Sequence, residues 1–246
     1  MAVICVDLSK YQAGFNFQAF KDSGGLGVIL KASESTTIKD SSYNKFRSDA
    51  KAAGLKVASY HFFRSTDPVA QANWYLDCAN PDEGERVVCD VEDQSIPKGN
   101  VTKFLQRIQL VRPDLQLTVY TGNVGEEAEQ KWGKSDWLAA NTSLWTCQYS
   151  SSPSPWASQT WPQWSLWQYS DTGPVPGFDG DVDKNKFNGS DQNFLAWIGP
   201  AAVQPTPPDT QEPTVTVSFS SDQAVNLVVV AGDNVTIIGD AGAGVS

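Results

Sequence analysis

Short apolar runs recur along the first two-thirds of the chain, and a stretch of helical character follows nearly every one; this alternation restricts the fold more than any other feature. The runs lie near residues 3–6, 27–30, 56–60, 86–91, 115–120, 144–148 and 165–168, with helical segments expected over 17–22, 42–53, 67–79, 100–111 and 124–140. The clearest helix starts at Asp67, an N-cap residue, followed by Pro68, which suits the first helical position. Strands alternating with helices at this spacing build parallel βαβ units, and closing them into a barrel takes roughly 200 residues. After residue 149 the pattern changes to Ser-Ser-Ser-Pro-Ser-Pro-Trp-Ala-Ser-Gln-Thr-Trp-Pro, too rich in proline and serine for a crossover helix. The fold class expected is α/β, an irregular TIM-like barrel of about eight strands and five helices.

Residues 201–213 read Ala-Ala-Val-Gln-Pro-Thr-Pro-Pro-Asp-Thr-Gln-Glu-Pro, a composition that favours extended polyproline geometry. A barrel over 1–199, a linker over 200–213 and a small all-β module over 214–246 are therefore expected. In the last segment Val215, Val217 and Phe219 alternate with polar residues, and two further apolar runs flank the turn signal Gly232-Asp233-Asn234, which predicts three short strands. So short a segment, with no cysteine, does not build its own core, and packing on another surface or homo-oligomerisation is the expected use.

Acids cluster where such a barrel carries its chemistry. Asp90 and Glu92 end the run Arg86-Val87-Val88-Cys89, one valine apart, so on a strand both carboxylates face the same side. Asp7 ends the run Val3-Ile4-Cys5-Val6, and Asp183 follows the aromatic stretch Trp167-Gln168-Tyr169 and a glycine-rich loop. Parallel barrels place catalytic groups at the carboxyl ends of strands. Hydrolysis of a glycosidic bond needs one acid to protonate the leaving oxygen and a second, negative group near the anomeric carbon. Glu92, further out, is the expected acid/base, and Asp90, deeper, the neighbour whose like charge raises its proton affinity. Read structurally, Asp7 is a cap on the loop before Tyr11 and Asp183 an Asx turn in Asp-Gly-Asp-Val-Asp.

Composition excludes other classes. A net charge of −10 argues against nucleic-acid binding, which depends on clustered Lys and Arg. No stretch approaches the roughly 20 apolar residues of a membrane span, and the first ten residues lack the pattern of a signal peptide. Four scattered cysteines (Cys5, Cys78, Cys89, Cys147), no Cys-x-x-Cys and one histidine argue against a zinc site, and no cofactor or metal is expected. Cys5 shares a face with Asp7 whereas Cys89 opposes Asp90, so free thiols are expected rather than a bridge between them. His61 is expected to be a structural hydrogen-bonding group beneath the cleft. Seven of the nine tryptophans fall between Trp132 and Trp167; most are assigned to packing. Aromatic faces stack on sugar rings, which makes Tyr60, Tyr120, Trp167 and Tyr169 candidate walls of a glycan groove.

The segments Val6-Asp7-Leu8-Ser9-Lys10-Tyr11-Gln12, Lys31-Ala32-Ser33-Glu34, Ser59-Tyr60-His61-Phe62, Asp90-Val91-Glu92, Trp167-Gln168-Tyr169 and Gly180-Asp181-Val182-Asp183-Lys184-Asn185, in this order over residues 3–188, resemble glycoside hydrolase family 25, the Chalaropsis-type lysozymes. The resemblance implies cleavage of the β-1,4 bond after N-acetylmuramic acid in the peptidoglycan glycan strand. It gives Glu92 the role of proton donor, Asp90 that of its partner, and adds Asp7 and Asp183 to the pocket and Glu34 to the substrate contacts. It further implies retention of configuration, with either the substrate's acetamido group or a carboxylate as nucleophile, and an endolysin made in the bacterial cytoplasm of a phage host and released to the wall. The chain departs from the family pattern after Glu34, where Ser-Thr-Thr follows and a glycine is common, and at Thr146-Cys147-Gln148, where smaller residues often stand; both border the cleft. A chitin-type N-acetylhexosaminidase and a virion-associated wall-binding protein are the alternatives.

Overall fold

A computed structural model of the chain describes residues 3–93, 95–122, 133–153 and 159–199. The chain divides into two units, residues 1–202 and 203–246; the proposed linker and the three C-terminal strands lie outside the described residues, as does most of the helix expected over 124–140.

The first unit is a closed barrel. Its strands are β1 (Cys5–Leu8), β2 (Gly27–Glu34), β4 (Lys56–Phe62), β5 (Arg86–Val91), β6 (Gln116–Thr121), β7 (Thr142–Cys147), β8 (Leu166–Ser170) and β9 (Asp183–Phe187), and the two-residue β3 (Ile38–Lys39) extends β2 as a hairpin. Neighbours from β1 through β2, β4, β5, β6 and β7 to β8 run parallel, and β9 closes the ring antiparallel to both β8 and β1. Six α-helices are present among the described residues: α1 (Phe17–Asp22), α2 (Tyr43–Ala52), α3 (Pro68–Ala79), α4 (Lys98–Val111), α5 (Asp136–Asn141) and α6 (Asp191–Ile198). The barrel class agrees with the sequence reading. Three of these elements were not anticipated: the short β3, β9 and α6.

Asp67 caps α3 as expected, its side chain accepting from the Ala70 amide, and Asn80 ends the helix in the left-handed conformation.

Two apolar layers result from strand alternation. Outward residues such as Val6, Val28, Leu30, Val57, Val87, Cys89, Leu117 and Val119 pack against Phe17, Phe46, Tyr75, Phe104 and Ile108 of the helices. Inward residues Cys5, Ile29, Ala58, Val88, Tyr120, Trp145 and Leu166 form the barrel interior with Phe194 and Ile198 of α6. The four cysteines are free, Cys5 inside and Cys89 outside the barrel wall, as parity required.

α6 stoppers the end of the barrel opposite the acids. A side chain at Gly27 would meet Ile198 Cδ1 at 2.7 Å, so only glycine admits this helix so closely. Arg86, buried beside it, donates to the Trp197 carbonyl at 2.5 Å and to Thr118 Oγ1 at 2.8 Å, and its guanidinium lies 4.1 Å from the Trp197 ring centre. Filling this end leaves the barrel a single open mouth, at the carboxyl ends of its parallel strands.

Candidate active site

That mouth holds a cavity of about 660 Å³, within the size range of sites that take small ligands. Asp7, Asp90, Glu92 and Asp183 all line it, so the four acids named from the sequence converge. Asp7 sits on β1 and Asp90 on β5, each one residue from the strand end, while Glu92 follows β5 at the exposed rim. Asp183 begins β9; because that strand runs antiparallel, its amino end lies at the rim where its neighbours have their carboxyl ends. It is neither a loop residue nor an Asx turn, and Asp7 is not the cap before Tyr11: Ser9 fills that role, paired with Gln12 in a capping box.

Asp7 stands directly opposite Asp183 in the β1–β9 register. Their carboxyls come within hydrogen-bonding reach; burial, then the charge of Asp183, raises Asp7 well above the ordinary range, and burial also raises Asp183. Asp7 is held from two further sides. Gln168 Nε2 donates to its Oδ1 and Oδ2 at 3.2 and 3.1 Å, and Asn185 Nδ2 donates to Oδ2 at 2.7 Å. Gln168 Oε1 in turn accepts from the Tyr120 hydroxyl at 2.9 Å and the Tyr149 hydroxyl at 3.1 Å, and Asn185 Oδ1 accepts from Trp145 Nε1 at 2.8 Å. Gln168, Asn185, Trp145 and Tyr149 were not assigned to the site from the sequence. The signal was there in parity, since Gln168 lies two residues from inward Leu166 and Asn185 two from Asp183.

Asp90 and Glu92 make the second pair, again with carboxyls within hydrogen-bonding reach. Burial, then the charge of Glu92, raises Asp90 well above the ordinary range; Glu92 is raised chiefly because the cavity walls strip it of water. This corrects the expected cause: desolvation, not repulsion by Asp90, leads at Glu92. No nitrogen or hydroxyl among the described residues donates to buried Asp90 Oδ1. That oxygen is left to share the proton with Glu92 or to accept from a ligand.

Tyr60 and Tyr120 line the cavity as expected, joined by Tyr11, Tyr149 and Trp145. Trp167 and Tyr169 do not. Inward Gln168 turns both to the other face of β8, where the Trp167 indole donates to the Gln148 carbonyl at 2.7 Å and its ring packs 5.7 Å from that of Tyr169. Glu34 also stays off the lining; it bonds Lys31 and Arg64, and although burial pushes the other way, those cations hold its carboxyl below the usual range. Ser35, which follows Glu34, has a φ of 52°, the left-handed region that favours glycine.

His61 lies outside the barrel wall, with Nδ1 2.8 Å from Ser33 Oγ and Nε2 3.1 Å from Gln71 Oε1. Burial lowers it to about 4, so it is neutral and structural, as expected. Among the described residues no group of three or more His, Cys, Asp or Glu could hold a metal ion, and no helix is long and apolar enough to cross a membrane.

The glycosyl hydrolases family 25 model matches residues 6–178, a span containing Asp7, Asp90 and Glu92. Lysozyme M1 of Streptomyces globisporus is 29% identical over 213 residues, covering 78% of this chain and 69% of that protein. The autolytic lysozyme of Clostridium acetobutylicum is 34% identical over 194 residues, 74% of this chain, which spans only 55% of its length. The crystal structure of a bacterial lysozyme from Streptomyces coelicolor superposes with a TM-score of 0.70 at 27% identity, covering 80% of this chain and 97% of that one. With four acids gathered at the mouth of a barrel of this architecture, the chain belongs to glycosyl hydrolases family 25.

Proposed function

We propose that the chain is an N-acetylmuramidase that cleaves the β-1,4 bond between N-acetylmuramic acid and N-acetylglucosamine in peptidoglycan, with Glu92 as acid/base. The observation that carries the reading is the Asp90–Glu92 contact at the mouth of a sugar-sized cavity. Glu92, at the rim, gives its proton to the leaving oxygen and afterwards takes one from the attacking water. A covalent retaining mechanism needs its two carboxyls about 5 Å apart, one on each side of the anomeric carbon; carboxyls in contact leave no room for the sugar between them. This favours the substrate's acetamido oxygen as nucleophile. Asp90 then accepts the acetamide N–H through its oxygen without another donor, and its charge stabilises the cyclic cation that forms. Asp7 and Asp183 share one proton behind it, and Tyr60, Tyr120 and Tyr149 supply the walls.

Sugar release from purified cell walls, compared with colloidal chitin, tests the reading. Walls are the expected substrate, and equal or greater release from chitin would favour the N-acetylhexosaminidase.

Cytoplasmic accumulation followed by release to the wall belongs to the same reading. Expression in the host should lyse cells only when a membrane-permeabilising protein is co-expressed, and lysis without one refutes that route. Residues 214–246 serve in this reading as a wall-binding or self-associating module. Light scattering and wall pull-down with and without them test it, and identical mass and retention in both would dismiss it.

A further inference from the structure

Lys31 is the one cation among the described residues lining a cavity to which Asp7, Asp90, Glu92 and Asp183 bring carboxyls. Its setting depends on an irregularity in β2. Ile29 points into the barrel, whereas Leu30 and Ala32 point outward. Regular alternation would carry Ser33 inward with Lys31 and turn Glu34 away. The register instead shifts between Lys31, opposite Tyr60, and Ser33, opposite His61. Such a bulge reverses the facing of the strand residues beyond it. Ser33 thus meets His61 on the outer side, and Glu34 comes round to Lys31.

Glu34 then joins two cations. Its Oε2 accepts from Lys31 Nζ at 2.7 Å, and its Oε1 accepts from Arg64 Nη2 at 2.7 Å and Nε at 3.0 Å. Both cations also sit over the Phe62 ring, Lys31 Nζ at 4.6 Å and Arg64 Cζ at 4.3 Å from its centre. Lys31 and Glu34 are largely covered, with 16% and 17% of their side chains exposed, so their charges are weakly screened. Two cations and one anion leave a net positive charge beside the acids. Lys31 pulls both Asp90 and Glu92 toward ionisation; Arg64 does so at Glu92, and Glu34 opposes it. The other titratable groups lining the cavity are Asp7 of β1, Tyr60 of β4, Tyr120 of β6, Cys147 of β7 and Asp183 of β9, with Tyr11 and Tyr149 outside the strands and His61 behind the wall.

We propose that Lys31, fixed by Glu34 and Arg64, is a positioning residue that holds the Asp90–Glu92 pair at a single shared proton. Two carboxyls stripped of water and in contact tend to take up a second proton as the pH falls, and a neutral Asp90 stabilises no developing cation. A fixed positive charge opposes that second proton. The proposal rests on the muramidase reading and adds charge control from outside the four acids; Glu34 becomes the strut of that cation rather than a sugar contact.

The test is the pH profile of kcat/KM on cell-wall glycan for the parent, Lys31→Met, Lys31→Arg and Glu34→Gln. Removing the cation should move both limbs of the profile to higher pH in Lys31→Met, by about half a unit or more. Glu34→Gln keeps an amide oxygen to hold the Lys31 ammonium while removing the opposing anion, and should move them to lower pH. Lys31→Arg keeps the charge and should keep the parental midpoints even where the rate falls. A purely structural role would lower rate and Tm without moving either midpoint, and that result overturns the proposal. If Lys31→Met does not fold, the Glu34→Gln profile decides: an acid shift supports the proposal, and unmoved midpoints overturn it. Failure of the muramidase reading is separately visible, because the parent itself would then release no muramic-acid reducing ends.

Discussion

Replacing Gln168 by leucine asks whether this amide, rather than the tryptophan and tyrosine beside it, organises the cleft. Its Nε2 donates to both oxygens of Asp7 and its Oε1 accepts from Tyr120 and Tyr149. The contact with the carboxyl contributes about 2 kcal/mol and the neutral bond from Tyr120 about 1. Tyr120 is 7% exposed, so its hydroxyl loses its acceptor out of reach of bulk water, at a further cost of about 1–2 kcal/mol. Tyr149 is exposed and turns to solvent instead. Leucine offsets about 1 kcal/mol by apolar burial. The net loss is near 3 kcal/mol, which for a barrel of this size lowers Tm by about 6–12 °C. Calorimetry reads the shift, and turnover of cell walls should fall at least about tenfold as Asp7 loses its orientation. A Tm within about 2 °C of the parent, with turnover unchanged, would refute the reasoning.

Asp90→Asn should separate stability from activity. Burial, then Glu92, raises the folded-state pKa of Asp90 above its unfolded value, so the stability it contributes is complete below the unfolded value and is lost as pH rises through the folded one. The variant should therefore be inactive yet melt above the parent at pH 7, with the gap closing toward pH 4; a lower Tm at pH 7 contradicts this. His61→Phe leaves Ser33 Oγ without its partner, while Gln71 Oε1 keeps the Arg64 amide, and should cost about 1–2 kcal/mol in urea unfolding while the pH–rate midpoints stay in place; moved midpoints would give His61 a part in the chemistry. Ser35→Gly relieves a left-handed residue and should raise stability by about 0.5–1 kcal/mol, whereas a loss would mean the Ser35–Thr66 contact outweighs the strain.

The barrel was legible because its parallel strands are largely apolar and α1, α3, α5 and α6 carry ordinary side-chain N-caps. Asp90 and Glu92 were legible because one intervening residue fixes a shared facing. β9 was not: Asp-Lys-Asn-Lys-Phe has poor strand propensity, and its inward residues nearest the mouth are polar, Asp183 and Asn185, with only Phe187 packing in the interior core, because at the mouth the interior is a hydrogen-bonded site. The same inversion misdirected the reading of β8, where aromatic residues suggested a sugar wall but the polar Gln168 faces the cavity. Glu34 was misplaced because a bulge leaves no mark in local composition. Polar residues two apart from an inward-facing neighbour were the overlooked signal in β8 and β9, the strands whose amides hold Asp7.

Mass spectrometry of peptidoglycan digested by the parent and by Glu92→Gln bears most directly on the central claim, that Glu92 delivers a proton to the glycosidic oxygen. The account predicts fragments ending in reducing N-acetylmuramic acid from the parent and at least about a hundredfold less from a variant with parental Tm. Free peptide amines, anhydro sugars or undiminished release by Glu92→Gln would contradict it.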